Sequence, residues 1–120
     1  MSLTILIVDD SSVDRIRLES LLSAAGYTTT MAVDGQQAID IAKRTKPHVI
    51  LMDITMPEMD GYAATRVLKS DDQTKAIPVV MVSVKNSKAD RAWSQMLGAH
   101  GHVGKPFSDD EMLQQLKALH

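Results

Sequence analysis

Acidic residues follow two apolar segments of the chain at the points where those segments end. Asp9 and Asp10 come directly after Leu3–Val8, and Asp53 comes directly after His48–Met52. Short apolar runs of this kind predict buried strands, and parallel strands bring their carboxyl ends to one edge of a sheet. We therefore expect three carboxylates to meet at that edge. Carboxylate oxygens are ligands that Mg²⁺ prefers, and a carboxylate can also accept a phosphoryl group covalently.

Two further apolar runs end in groups suited to the same chemistry, Ser83 and Lys105. Phosphoryl transfer needs positioning and neutralisation of charge, which a lysine and a hydroxyl donor can supply. On this hypothesis Asp53 is the nucleophile and the phosphoacceptor, Asp10 and Asp53 bind magnesium directly, and Asp9 binds it through water. Plainer interpretations stay open, since the acid pair would also suit a helix N-terminus, Ser83 a turn and Lys105 a solvated loop.

Strand-like and helix-like segments alternate five times along the chain, and neither an internal repeat nor a linker interrupts them. Strict alternation predicts an α/β fold, (βα)5, in which a doubly wound five-stranded parallel sheet carries helices on both faces. Asp60 and Ser108 are typical N-caps for the third and fifth helices. The predicted strands are Leu3–Val8, Tyr27–Val33 at a sheet edge, His48–Asp53, Val79–Ser83 and Gly101–Gly104.

Apolar side chains at helical spacing predict the buried faces of the helices. For the first helix these are Val13, Ile16, Leu18, Leu21 and Leu22. For the fourth helix they are Ala89, Ala92, Trp93, Met96 and Leu97, which assigns the single tryptophan to the core. The outer face of the fourth helix should then present Asn86, Lys88, Arg91 and Gln95.

Composition limits the classes of protein to which the chain can belong. Its 120 residues suit a single domain over 1–120, and a net charge of −2 gives no basic field for nucleic acid or membrane. Without cysteine the chain has neither disulfides nor thiolate metal sites, which fits a reducing cytoplasm. No apolar run approaches the roughly 20 residues of a membrane span, and no signal peptide is visible. We expect a cytoplasmic protein that binds neither nucleic acid nor membrane.

Taken together, the motifs resemble those of response-regulator receiver domains of bacterial two-component signalling. The resemblance spans the whole chain, and its single-domain length is similar to that of the stand-alone regulators of chemotaxis and twitching motility. The matching segments are Ile7–Ser11, Leu51–Pro57, Met59–Gly61 and Gly104–Phe107.

The resemblance implies a flavodoxin-like sheet of order 2-1-3-4-5 and a phosphorylation-activated signalling switch. Asp53 would accept a phosphoryl group from a sensor histidine kinase or a phosphotransfer protein. The cofactor would be Mg²⁺, bound by Asp10, Asp53 and the backbone carbonyl of Thr55, with Asp9 in support.

In the same family, Ser83 and Lys105 would occupy the positions of the functional hydroxyl and lysine, with a cis peptide between Lys105 and Pro106. Output to a downstream protein would pass through the surface formed by the fourth helix, the fifth strand and the fifth helix. The chain would be a signalling receiver rather than an enzyme, although it would assist its own phosphorylation and dephosphorylation.

His102 departs from the family pattern, which usually has tyrosine or phenylalanine three residues before the lysine. In the family that ring turns inward as the hydroxyl, here Ser83, moves toward the phosphoryl group. A buried imidazole needs a hydrogen-bond partner, so the coupling would survive, weaken or become sensitive to pH. We favour the alternative of an exposed histidine on a short edge strand. Val84 is a second departure, since the family often has a smaller residue there.

Three rival functions are considered. A phosphatase of the haloacid-dehalogenase type would need a second acid two residues after its nucleophile, where this chain has Thr55, or Ser11 if Asp9 were the nucleophile. A flavin-binding module would need aromatic walls, and the chain is only 3% aromatic. A receiver that binds partners without being phosphorylated would be favoured only by His102 and Val84.

Overall fold

A computed structural model describes residues 3–119, in which five strands alternate with five helices. All strand pairs are parallel and lie in the order β2-β1-β3-β4-β5, which confirms the predicted fold and strand order. The strands are β1 (Thr4–Val8), β2 (Thr28–Ala32), β3 (Val49–Met52), β4 (Val79–Ser83) and β5 (Gly101–Gly104). The helices are α1 (Ser12–Ala24), α2 (Gly35–Thr45), α3 (Gly61–Ser70), α4 (Lys88–Met96) and α5 (Asp109–Lys117).

The core has two halves because alternate residues of each strand point to opposite faces of the sheet. In β1, Leu6 and Val8 belong to the cluster that includes side chains of α2 and α3. Ile5 and Ile7 belong to the cluster that includes side chains of α1 and α5. Both faces of the sheet are therefore covered, and the strands can be apolar throughout while their polar ends remain together at one edge.

Every helix begins at a short polar residue whose side chain accepts an N–H hydrogen bond from the third residue along. Asp60 and Ser108 have this role as predicted. The helices have 9 to 13 residues, and none within residues 3–119 is long and apolar enough to cross a bilayer. The N-caps are Ser11, Asp34, Asp60, Ser87 and Ser108.

The predicted buried face of α1 is wrong at two positions, and that of α4 is wrong at four. Val13 and Ile16 of α1 are 73% and 60% exposed, whereas Leu18 and Leu22 are buried. The buried residue of α4 is Ser94. Helical periodicity identifies a stripe of similar side chains but not which neighbouring element covers it, and here the apolar stripe of α4 faces outward. The exposed residues of that stripe are Ala89, Ala92, Trp93 and Met96.

Candidate functional site

Asp9, Asp10 and Asp53 meet at the carboxyl edge of the sheet, as the sequence predicts. Each has a carboxylate oxygen within 4.8 Å of those of the other two. They meet because β1 and β3 pair in register, with Val8 beside Met52, so that the residues that follow are neighbours. The Asp53 amide continues the pairing by donating to the Val8 carbonyl at 2.9 Å. Asp9 and Asp53 are buried and Asp10 is exposed.

Asp9 is held by the start of α1 without being its cap. Its Oδ1 accepts a hydrogen bond from the Ser11 amide at 2.9 Å, and its carbonyl accepts one from Arg15 Nη1 at 2.7 Å. The N-cap of α1 is Ser11, whose hydroxyl accepts from the Asp14 amide. The alternative in which the acid pair merely caps this helix is therefore wrong.

Lys105 extends its ammonium group into the acids from the loop after β5. Its Nζ lies 2.7 Å from Asp9 Oδ2, 2.9 Å from Asp14 Oδ2 and 3.6 Å from Asp53 Oδ2. The residue is positioned by its amide, which donates to the Ser83 carbonyl at 3.0 Å, and its peptide bond to Pro106 is cis. Burial alone would lower the pKa of Lys105, but the hydrogen bonds to Asp9 and Asp14 raise it above its usual value.

The electrostatics of Asp53 differ from those of an ordinary ion pair. Burial raises the pKa of Asp53 above 3.8, and the positive charge of Lys105 only partly offsets that effect because the lysine lies closer to Asp9 and Asp14. The negative charge of Asp9 raises the pKa further, while hydrogen bonds from Ser83 and the Thr55 amide lower it. Asp53 is thus a carboxylate whose charge is under-compensated by the protein.

Two backbone features set the position of Asp53 relative to its neighbours. The Thr55 amide faces Asp53 Oδ1 at 3.4 Å, and the Gly61 amide donates to the Ile54 carbonyl at 2.8 Å. A Cβ atom on Gly61 would overlap the backbone of Asp53 and Ile54, so α3 can begin this close to the end of β3 only with glycine there.

The donor set fits a magnesium ion. The three gathered groups are carboxylates, which are the hard oxygen ligands that Mg²⁺ prefers, and exposed Asp10 leaves room for the waters that this ion retains. Carboxylates this close together repel one another unless a cation compensates them. That the Thr55 carbonyl completes the set stays a prediction.

Ser83 links the site to the loop that leads into α4. Its side chain is fully buried, and its Oγ accepts a hydrogen bond from the Lys85 amide at 3.2 Å. The Lys85 carbonyl in turn lies 2.8 Å from Nε2 of His102. Ser83 is therefore more than a turn residue at a strand end, because it contacts both Asp53 and the loop toward α4.

His102 lies outside the cluster of acids, but both of its ring nitrogens are engaged, so the expectation of a simply exposed histidine is wrong. Because a carbonyl can only accept, Nε2 carries the proton, and Nδ1 accepts from the Ser94 hydroxyl at 2.9 Å. Burial lowers the pKa of His102, Arg91 lowers it further, and the hydrogen bond to the Lys85 carbonyl partly opposes both. The ring is a neutral bridge between β5, α4 and the loop after β4.

Sequence reasoning missed two residues of this region. Asp14 binds Lys105 at 2.9 Å, and its signal was its position one helical turn after Asp10. Tyr62 donates to Asp90 Oδ1 at 3.1 Å, which joins α3 to α4. Burial and the hydrogen bond to Asp90 raise the pKa of Tyr62 to about 12. A contact between residues 28 positions apart has no local signature in the sequence.

Comparisons with a family model, with related sequences and with solved structures all identify the same family. Residues 5–117 match the response regulator receiver domain family. The chain is 37% identical to Protein PilH of Pseudomonas aeruginosa over 96% of this chain and 95% of PilH. The structure of chemotaxis protein CheY4 from Vibrio cholerae is 29% identical, with a TM-score of 0.94 and complete coverage of both chains. The receiver domain of sensor histidine kinase PA1611 from Pseudomonas aeruginosa, with magnesium coordinated in its active-site cleft, is 30% identical, with a TM-score of 0.91 over 99% of this chain and 98% of that one.

Proposed function

This chain belongs to the response-regulator receiver family and is a phosphorylatable signalling switch of two-component systems, and we propose that Asp53 is its phosphoacceptor. The observation that carries the assignment is the position of Asp53, buried at the end of the central strand between Asp9, Lys105 and Ser83. Membership of this family excludes the two alternatives of a haloacid-dehalogenase-type phosphatase and a flavin-binding module.

In the proposed reaction, an Asp53 carboxylate oxygen attacks the phosphorus of a donor phosphohistidine, the O–P bond forms and the N–P bond breaks. The ammonium group of Lys105, already 3.6 Å from Asp53 Oδ2, moves toward the incoming anion and neutralises part of its negative charge. The Ser83 hydroxyl donates a hydrogen bond to a phosphoryl oxygen. The chain thus supplies positioning and charge, and the same groups would assist dephosphorylation.

Asp10, Asp53 and the Thr55 carbonyl would hold Mg²⁺, with Asp9 in support. The ion, when bound, supplies positive charge to the phosphoryl oxygens during transfer. The under-compensated charge of Asp53 supports this assignment, since Lys105 is shared with two other acids.

The hydrogen bonds from Ser83 to α4 support a route for the signal. If the Ser83 hydroxyl turns toward the phosphoryl group, the Lys85 amide loses its acceptor. The next steps of the route are the hydrogen bond between the Lys85 carbonyl and His102 Nε2, at 2.8 Å, and the one between His102 Nδ1 and the Ser94 hydroxyl, at 2.9 Å. His102 would therefore transmit the signal by hydrogen bonds rather than by the swing of an aromatic ring.

The proposed output surface is formed by α4, β5 and α5, and a downstream protein would bind there. Arg91, Gln95 and His100 are exposed on it, and Arg91 Nη1 donates to the His102 carbonyl at 2.9 Å. Since Arg91 contacts His102, which lies on the hydrogen-bonded route, a partner on this surface would detect a shift of His102. We further propose that the described residues make up one receiver domain that works in the cytoplasm, with a sensor histidine kinase or phosphotransfer protein as its phosphodonor.

The decisive experiment is intact-mass measurement after treatment with acetyl phosphate, with Mg²⁺ and with a chelator. We expect one added phosphoryl group in the wild type with Mg²⁺, and none in Asp53→Asn. Asp72→Asn is the control, because Asp72 is exposed and paired with Lys75. An adduct that persists in Asp53→Asn would falsify the assignment.

A further inference from the structure

Helix α4 is inverted relative to an ordinary surface helix, because its buried contact is polar and its apolar side is exposed. Ser94 is buried, where its hydroxyl binds His102. Trp93 and Met96 are 40% and 77% exposed, and Ala89 and Ala92 are exposed as well. The four apolar residues have i, i+3, i+4, i+7 spacing, so they form one continuous stripe along the helix.

The neighbouring helix α3 extends this stripe with an aromatic residue and a cation. The Tyr62 ring packs edge-on against Trp93, with centroids 6.5 Å apart and planes at 79°. The guanidinium of Arg66 lies 6.0 Å from the centre of the Trp93 ring. Because Tyr62 is also bonded to Asp90, Trp93 packs against an anchored ring and loses little side-chain entropy when a partner covers it. We call this set the α3–α4 face: Tyr62, Arg66, Ala89, Ala92, Trp93 and Met96.

The shape of the α3–α4 face suits a helix. Ala89 and Ala92 offer no side chain beyond Cβ, so the backbone of another helix can approach α4 closely. Trp93, Tyr62 and Arg66 are of the residue types that dominate binding energy in protein interfaces. A stripe of this length along one helix matches the apolar face of a second helix laid against it.

Charges around the α3–α4 face indicate the chemistry of that helix. Arg66 lies over the Trp93 ring of this face, and the exposed residue Lys88 precedes Ala89 on α4. The acid of α4, Asp90, is already engaged by the Ser87 amide and hydroxyl, by Tyr62, and by Lys85 at 3.5 Å. The α4 side of the face therefore carries free positive charge, although the whole chain has a net charge of −2 and Asp60 adds one acid near Tyr62 at the start of α3. Basic borders complement acidic flanks on a partner.

We propose that the α3–α4 face is a docking site for an acidic amphipathic α-helix of a partner protein. The site differs from the proposed output surface because Trp93 packs against Tyr62 on α3, whereas Arg91 contacts His102 on β5. It does not depend on phosphorylation of Asp53, so the two proposals can fail separately.

The test is selection from a library of tryptophan-free helical peptides with a fixed Leu/Ala stripe and randomised flanking positions. We expect the selected peptides to be enriched in Glu and Asp. Because Trp93 is the single tryptophan, its emission should shift to the blue on binding. Met96→Glu should weaken binding more than about tenfold, since it places a charge in the apolar contact. Ile16→Glu on α1, at another exposed apolar side chain, should leave binding unchanged.

Several outcomes would overturn the proposal. These are enrichment of Lys and Arg, absence of any enrichment, or binding that leaves Trp93 emission or the Met96→Glu variant unaffected. Dimerisation of the free chain, with a concentration-dependent Trp93 shift that Met96→Glu abolishes, would assign the face to a second copy instead. Repeating the binding with Asp53→Asn separates this result from the assignment of the phosphoacceptor, and we expect equal affinity.

Discussion

The ammonium group of Lys105 lies 2.7 Å from Oδ2 of Asp9, which makes Asp9 the closer of the two buried acids to which it is paired. The proposed acceptor, Asp53, is 3.6 Å from the same nitrogen. The lysine is therefore held close to the proposed acceptor by an acid to which we assign no covalent role. Its charge is available to an incoming phosphoryl group through a small movement of the ammonium group.

Replacing Lys105 with methionine should slow phosphorylation of Asp53 by acetyl phosphate by about 10- to 100-fold. Hydrogen bonds to charged groups contribute about 1.5–3 kcal/mol, and 1.4 kcal/mol corresponds to a factor of ten. The measurement is the rate of mass increase at saturating Mg²⁺. Lys75→Met is the control, because Lys75 pairs with Asp72 at the surface. An unchanged rate would remove Lys105 from the reaction.

Replacing Asp10 with asparagine should weaken magnesium binding by at least about tenfold, since even outer-shell partners of a metal contribute 10–100-fold to its affinity. The substitution also relieves repulsion among the three acids, which limits the loss. Isothermal titration calorimetry measures the affinity directly. Asp40→Asn on α2 is the matched control. Equal affinities for wild type and Asp10→Asn would mean that Asp10 is not a ligand.

Asp53→Asn should increase the free energy of unfolding at neutral pH in the presence of a chelator. The pKa of Asp53 is raised above 3.8 by burial, so the folded state binds more protons than the unfolded state in the interval between 3.8 and the raised value. Stability therefore falls as the pH rises through that interval, and the amide avoids this loss. Urea denaturation should show the advantage of Asp53→Asn shrinking as the pH falls toward 3.8. A variant less stable than wild type at neutral pH would contradict the argument.

His102 should make the wild type lose stability in mild acid. Burial lowers the pKa of His102 below 6.5, so the stabilisation that the neutral ring provides is complete above 6.5 and is lost as the pH falls through the folded-state pKa. The His102→Tyr variant, which does not titrate there, should lose less stability between neutral pH and about pH 5. His100→Gln measures the separate effect of His100, whose pKa burial also lowers. Parallel pH profiles for wild type and His102→Tyr would exclude this role for His102.

The gathering of the acids followed from the sequence because strand ends and parallel pairing are local and repetitive features. Asp9, Asp10 and Asp53 follow apolar runs, and the parallel register of β1 and β3 brings their carboxylates together. The orientation of α4 could not be predicted in the same way. Its apolar stripe is periodic, but the buried residue of the helix is Ser94, which binds His102 on β5, and helical periodicity cannot reveal that contact.

His102 shows that the type of a residue and its position on a strand can mislead about its exposure. A polar residue on a short edge strand suggests exposure, yet the Lys85 carbonyl and the Ser94 hydroxyl satisfy both nitrogens. Such partners come from an element and a loop that only the folded chain brings together. The sequence indicated that coupling through His102 was in question, but the hydrogen-bond partners of the ring could be identified only from the tertiary structure.

The close approach of Gly61 to the backbone of Asp53 also fixes the base of the loop between β3 and α3, whereas the tip of that loop can be changed. Since the Gly61 amide binds the Ile54 carbonyl at 2.8 Å, the loop between β3 and α3 is closed at its base. Pro57 and Glu58 lie exposed near its tip. An insertion between them would lengthen the loop without changing the span from Asp53 to α3. The tip is therefore a suitable attachment point for a spectroscopic label that reports on the site from outside.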